Sequence, residues 1–473
     1  MKSYYYYRII FSFLWFITCW MCVEFIPVRG SEFEHFLFTL LSILSYFLCI
    51  YNWYSSGNKI VSLYTFFVVY SAFSSIGQSF LYILGTPDNF LFIYSAHSFH
   101  DIIRMLKYVS LAIAALNLGT CIYVYKQGNY ISNIELSKSI IRNSKTFLRK
   151  NNFVKFLFYA SSFYMIFIAF RMLSMRQTMD YEEFYYEGRG ALLGFFGTLL
   201  NYINIGLCIY YICISRLRKW IYCYVIFLIV VYMITGARSQ AVPYVGILLV
   251  TMPITNPKLF RKKYAPLWIF LSLFFMFAVN LVQLNRTSSL SAGGMIQPDK
   301  LMLGLYGSIS EMGLSERPAI FTMNALENSS QPHYQTIAAS VIQAVVPFSK
   351  TSSSFVEENQ IALTTWITDY AGIEDFGLGY SFVAETFMNY GWFGWVFCIF
   401  WGYFISYAEI TAYKRMSKGN YLYSIFLLVF LCIMVFWARG KFQSCINFLR
   451  YAMIFGVIYG IIKSSNKRAI WLR

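Results

Sequence analysis

The chain has 473 residues, of which 58% are hydrophobic, 21% aromatic and only 12% charged. Soluble domains devote about a quarter of their residues to charge, so this chain has too little polar surface to coat the roughly three soluble domains its length would suggest. A net charge of +17, from 38 Lys and Arg against 21 Asp and Glu, raises nucleic acid as a partner until the charges are placed along the chain.

A helix crossing about 30 Å of hydrocarbon needs about 20 apolar residues. Twelve stretches are candidates: 8–26, 36–54, 60–84, 104–125, 153–172, 191–215, 220–236, 240–256, 266–284, 382–409, 421–437 and 445–463. The sequence therefore predicts an all-α polytopic membrane protein of about 12 transmembrane helices. Alternate connections then fall on one side. That side holds nearly two-thirds of the Lys and Arg, including Lys138, Arg142, Lys145, Arg149, Lys150, Lys258, Arg261, Lys262 and Lys263. Of the carboxylates it holds only Glu135 and Glu409. Such sorting is the positive-inside rule, which places both termini in the cytoplasm and removes the nucleic-acid reading. The first apolar stretch lacks a small-residue cleavage site and reads as a retained helix. Most cysteines lie inside apolar runs without C-x-x-C pairing and read as small hydrophobes.

The acidic side carries the long connections, 85–103, 173–190 and above all 285–381. Residues 1–284 are expected to form the first nine spans, 285–381 a large outer loop and 382–473 the last three spans with a cytoplasmic tail. Within the loop, Thr336 to Phe348 is apolar enough for an amphipathic helix lying on the bilayer surface. No Walker loop, kinase signature, H-E-x-x-H or Asp-x-Asp pair occurs, so nucleotide-driven and metal-dependent mechanisms lack support and no cofactor is expected.

Three segments carry candidate chemistry. Thr235-Gly236-Ala237-Arg238-Ser239-Gln240 is a very short outer turn, where an anion would meet a guanidinium and the N–H groups of a helix start. Ser381, Glu385 and Asn389, spaced i, i+4, i+8, would share one helix face behind Gly377 and Gly379. An acid in the first turns of a membrane helix needs a task or a partner. The outer turn Trp437 to Ser444 holds Arg439 and Gln443, with Arg450 beyond. On a helix beginning near 439, positions 439, 443 and 450 fall at about 0, 40 and 20 degrees, one stripe. Arg286 and Arg317 lie in the large loop. Each of these arginines has a plainer reading as a snorkelling or salt-bridged side chain, and Glu385 as the carboxylate of such a bridge.

Together these residues resemble the Wzy family of bacterial O-antigen or oligosaccharide repeat-unit polymerases. The likeness covers essentially the whole chain in architecture. At residue level it rests on Thr235 to Ser239, on Gly377 to Glu385 with Asn389-Tyr390-Gly391, and on the Arg439 turn. The resemblance implies the GT-C type architecture of lipid-linked glycan polymerases and ligases. It also implies glycosyl transfer on the periplasmic face of the bacterial inner membrane, with undecaprenyl-pyrophosphate-linked repeat units as donor and acceptor and a chain-length regulator protein as a candidate partner. In this reading Arg238 and Arg439 hold the donor pyrophosphate without a metal, Arg286 and Arg450 support them, and Gln443, Asn389 and Arg317 contact substrate. Glu385 takes the proton of the attacking hydroxyl, and single displacement inverts the anomeric centre. An O-antigen ligase would use similar arginines. A flippase of lipid-linked oligosaccharide would want its basic residues in a central cavity.

Overall fold

The computed structural model describes residues 2–58, 60–127, 152–178, 189–214, 217–260, 298–328, 333–345, 350–359, 363–372 and 380–451. Every regular element among them is helical. The first group is α1 (Lys2–Phe25), α2 (Glu32–Ser55), α3 (Leu63–Ile83), the short α4 (Phe92–Ala96) and α5 (Phe99–Gln127). The second is α6 (Asn152–Thr178), α7 (Arg189–Ile214), α8 (Arg218–Ile234) and α9 (Arg238–Thr255). Five short helices follow: α10 (Pro298–Gly313), α11 (Glu316–Asn328), α12 (Thr336–Val345), α13 (Lys350–Asn359) and α14 (Leu363–Tyr370). The chain then forms α15 (Phe382–Tyr390), α16 (Gly394–Ser417), α17 (Tyr421–Met434) with a 3-10 turn at Val435–Arg439, and α18 over 442–451.

Eight of these stretches are long and apolar enough to cross a bilayer: Tyr6–Phe25, Glu32–Ser55, Leu63–Ile83, Phe99–Lys126, Asn152–Thr178, Phe196–Cys213, Phe382–Ser417 and Tyr421–Arg439. The molecule is thus a multi-pass helical membrane protein, with fewer qualifying helices among the described residues than the twelve expected. The stretch 266–284 and most of 445–463 lie outside them. The helix over 220–236 has only 17 residues, and the apolar part of α9 is the shorter run Gln240–Thr255. The expected span 382–409 is two helices, because Gly391 takes φ +55, a left-handed conformation that an L side chain rarely adopts. His333 Nδ1 donates to the Met388 carbonyl at 3.0 Å and Gln335 Nε2 to the Asn389 carbonyl at 3.0 Å, satisfying acceptors at the severed end.

Local sequence explains where several helices begin. Ser31 and Glu34 form a capping box on α2. Ser62 and Ser381 each accept from the third residue beyond them, at the starts of α3 and α15. The buried Glu409 of α16 accepts from the Leu63 and Tyr64 amides at 3.3 and 2.8 Å, placing a carboxylate on the positive end of α3.

The core is built around α5, packed between α1, α2 and α16 and almost wholly buried. Its crossing with α16 depends on small residues. A Cβ on Gly402 would stand 2.1 Å from the Leu116 carbonyl oxygen, and one on Gly119 would stand 1.9 Å from that of Ile399. Without a hydrophobic drive inside lipid, such close backbone approach supplies the packing. A second group, α6 to α9, joins through α17. All ten cysteines are free.

The described part of 285–381 is a layer of short helices seated on the bundle: α10 on α3, α11 on α15 and α5, and α12 on α15. Glu316 anchors it. The side chain is wholly buried and accepts from the Gln78 amide at 2.7 Å and from Ser79 Oγ at 2.7 Å. Gln78 extends the joint by donating to the Ser310 carbonyl at 3.0 Å and accepting from the Ile93 amide at 2.8 Å. Burial pushes the Glu316 carboxyl up to about 8, partly offset by those donors.

Candidate functional site

Glu385 lies one turn into α15, and its helix start is fixed by the Ser381 cap. Although the side chain is fully buried, the sequence offers it no cation at i±4, so its partners come from other elements. Thr336 Oγ1 at the start of α12 donates to Oε1 at 3.0 Å. Trp437 Nε1, from the 3-10 turn, and the backbone amide of Phe442, which opens α18, both donate to Oε2, at 2.8 and 2.7 Å. One carboxylate thus ties α12, α15 and the 3-10 turn together. Each donor is neutral, so the bonds are charge-assisted on one side only.

Asn389, one turn on, completes the joint. Its Nδ2 donates to Thr336 Oγ1 at 2.9 Å and to the Glu385 carbonyl at 2.7 Å, while Oδ1 accepts from the Ile337 amide at 2.9 Å. The i, i+4, i+8 spacing therefore places Ser381, Glu385 and Asn389 as expected. Asn389 spends its polar atoms within the protein, on the first turn of α12 and on the Glu385 carbonyl of its own helix. The indole of Trp437 is boxed in by Phe382, Trp401 and Phe442 at ring distances of 4.9, 4.8 and 4.5 Å. Rings packed this closely leave the turn little freedom.

Arg439 ends that turn. Its Nη2 donates to the Glu311 carbonyl of α10 at 3.0 Å and stands 3.8 Å from Glu311 Oε1. No other described residue bonds the guanidinium, which keeps 21% side-chain exposure. Ser74 Oγ of α3 donates to the Ala438 carbonyl at 2.8 Å, so the turn is gripped from two sides. Gln443 and Arg450 lie half-buried on α18, and no hydrogen bond or ion pair joins either side chain to another described residue.

The remaining expected residues are elsewhere. Arg238 is the first residue of α9, as the small-residue turn suggests, with the Gly236 φ of +79 and the buried Ala237 just before it. The 3-10 turn packs against α9, the helix that Arg238 opens. Arg286 falls outside the described residues. Arg317, on α11, lies near His97 and over the Phe321 ring at 5.9 Å. Nothing joins it to Arg439 or Glu385 among the described residues. Burial lowers its basicity and, with the Arg317 charge, draws His97 down to about 4. Sequence reasoning missed Glu311, Thr336, Trp437 and Glu316. Only Trp437, a large polar-tipped ring beside Arg439, gave a local signal.

A family model described as O-antigen polysaccharide polymerase Wzy matches residues 6–469, nearly the whole chain. The chain belongs to that family. No curated protein and no solved structure matches it. Membership makes it an O-antigen repeat-unit polymerase with glycosyltransferase-type activity. With eight bilayer-length apolar stretches among the described residues, the chain is a multi-pass member of that family.

Proposed function

We propose that this Wzy polymerase joins polyprenyl-pyrophosphate-linked repeat units on the outer face of the bacterial cytoplasmic membrane, by metal-independent inverting transfer. Outside the membrane there is no nucleotide supply, so the donor must carry its own leaving group, and a lipid diphosphate is one. The acceptor hydroxyl oxygen bonds to the anomeric carbon as the bond from that carbon to the diphosphate oxygen breaks. The electron pair leaves with the diphosphate. Arg439 and Arg238 would hold that charge, with Arg286 and Arg450 in support.

The observation that carries the reading is the Glu385 joint, because it fixes the one turn that bears Arg439 to α15 of the bundle and to α12 of the layer seated on it. Glu385 is fully buried and three donors occupy it, so the geometry supports it as a positioning residue and leaves no oxygen facing an acceptor hydroxyl. Proton acceptance fits better at His333. A carbonyl can only accept, so the bond to Met388 requires a proton on Nδ1 and leaves the Nε2 lone pair of the neutral ring available, on an exposed residue.

The test is chain extension in proteoliposomes supplied from outside with lipid-linked repeat units. Wild-type protein is expected to extend them, whereas a flippase would not. A deletion strain separates polymerase from ligase: polymerase loss leaves single repeat units on the lipid A core, and ligase loss leaves none. Finding none would overturn the polymerase reading.

A further inference from the structure

The outer helix α11 has two unlike sides. Ala319, Ile320, Met323 and Leu326 are buried against the bundle. On the other side Arg317, Phe321 and Asn324, spaced i, i+4 and i+7, form one stripe, and all three are only half-buried. Rings flank that stripe. Phe321 meets His97 edge-on at 4.6 Å and Tyr370 of α14 at 6.4 Å. Trp366 and Tyr370, a turn apart, stack at 6.2 Å with 18° between planes. Tyr370 is 38% exposed. At the far end of the stripe Glu327 pairs with Arg104 of α5 and accepts from Trp392 Nε1 at 2.9 Å, and Arg104 reaches Asn324 Oδ1 at 3.4 Å.

Packing accounts for rings that are buried. It does not account for partly exposed rings alternating with an amide, a carboxylate and a guanidinium. Among the described residues no carboxylate pairs with Arg317, and neither its Nε nor His97 Nε2 has a hydrogen-bond partner. A pyranose needs this mixture: its C–H face lies on an aromatic ring while its hydroxyls bond planar amides, acids and guanidinium groups.

We propose that the exposed stripe of α11, with Trp366 and Tyr370, is a glycan-binding strip that holds a sugar of the substrate chain away from the bond-forming turn. Arg317 then serves sugar hydroxyls, not the diphosphate. The proposal deepens the polymerase reading and rests on it for the nature of the ligand. The strip sits on the same layer as α12, which Glu385 and Asn389 tie to the Arg439 turn. Holding the glycan there would orient the reducing or acceptor end without adding a contact at the reacting carbon.

The probe is the repeat-unit oligosaccharide released by mild acid from the polysaccharide of the source strain, titrated against the full chain in lipid nanodiscs. Saturation-transfer NMR reads binding, and the proteoliposome assay reads KM and kcat for lipid-linked units. Trp366→Ala, Tyr370→Ala and Asn324→Ala are each expected to raise Kd and KM roughly three- to tenfold at unchanged kcat, the scale of one ring stack or one hydrogen bond. Trp366→Phe should restore most of the affinity, which separates a lost stack from a damaged fold. Alanine variants that bind and extend within twofold of wild type overturn the strip. Because oligosaccharide binding is read without catalysis, failure of wild-type extension would overturn the polymerase mechanism while the variant titrations still judge the strip.

Discussion

Replacing Glu385 by Gln separates the two jobs a carboxylate could have at this position. The amide has the same shape, so its oxygen can take the place of Oε2 and keep Trp437 Nε1 and the Phe442 amide bonded. Each bond then loses its ionic partner, a change of about 1 kcal/mol apiece, partly returned because a neutral amide is cheaper to bury. The other end of the amide must face Thr336, whose hydroxyl has been donating to Oε1 and would have to turn away. About 2 kcal/mol is therefore the most that loosening the turn should cost, a drop of roughly thirtyfold in kcat at nearly unchanged KM. Removing a general base costs about 10²- to 10⁴-fold. Glu385→Ala should be worse than Gln, since it leaves the indole and amide N–H groups buried without acceptors at about 1–3 kcal/mol each. The assay is initial-rate extension of lipid-linked units by purified protein of confirmed fold. A Gln variant that is folded yet reduced a thousandfold or more would refute the positioning argument and restore Glu385 as the base. His333→Gln, which can still bond Met388, is expected to show the larger loss.

Arg439→Lys keeps a charge but not the planar fork, so long polymer is expected to disappear and lipid-linked single units to accumulate; normal chain length from folded protein would remove the diphosphate role. Glu311→Gln withdraws the carboxylate 3.8 Å from Arg439 while sparing the carbonyl bond, and should lower donor KM about two- to fivefold. Glu316 titrates higher in the folded protein than its ordinary value of 4.5, at about 8. Between those values the unfolded chain binds fewer protons, so thermal stability should fall as pH rises from about 5 to 8 and change little below that window. Glu316→Gln should flatten the profile, and an unaltered slope would count against the buried acid as its source. Gly402→Ala drives a methyl into the Leu116 carbonyl and should destabilise the α5–α16 crossing by about 1–3 kcal/mol, read as a lower melting temperature in detergent.

The sequence by itself determined the solvent and the class. Composition required lipid, and apolar runs of bilayer length required helices. Family membership was legible too, because the turn at Gly236 to Arg238 and the Ser381, Glu385, Asn389 register are local patterns whose geometry follows from the backbone alone. Tertiary structure decided what those residues touch. Thr336 lies 49 positions from Glu385, and Phe442 lies 57, so no periodicity connects them, and a backbone amide leaves no mark in a side-chain pattern. The same holds for Glu311, which meets Arg439 across 128 residues. Helix faces are local and can be read from spacing, whereas the partner of a buried charge is set by which distant donor the packed bundle brings to it.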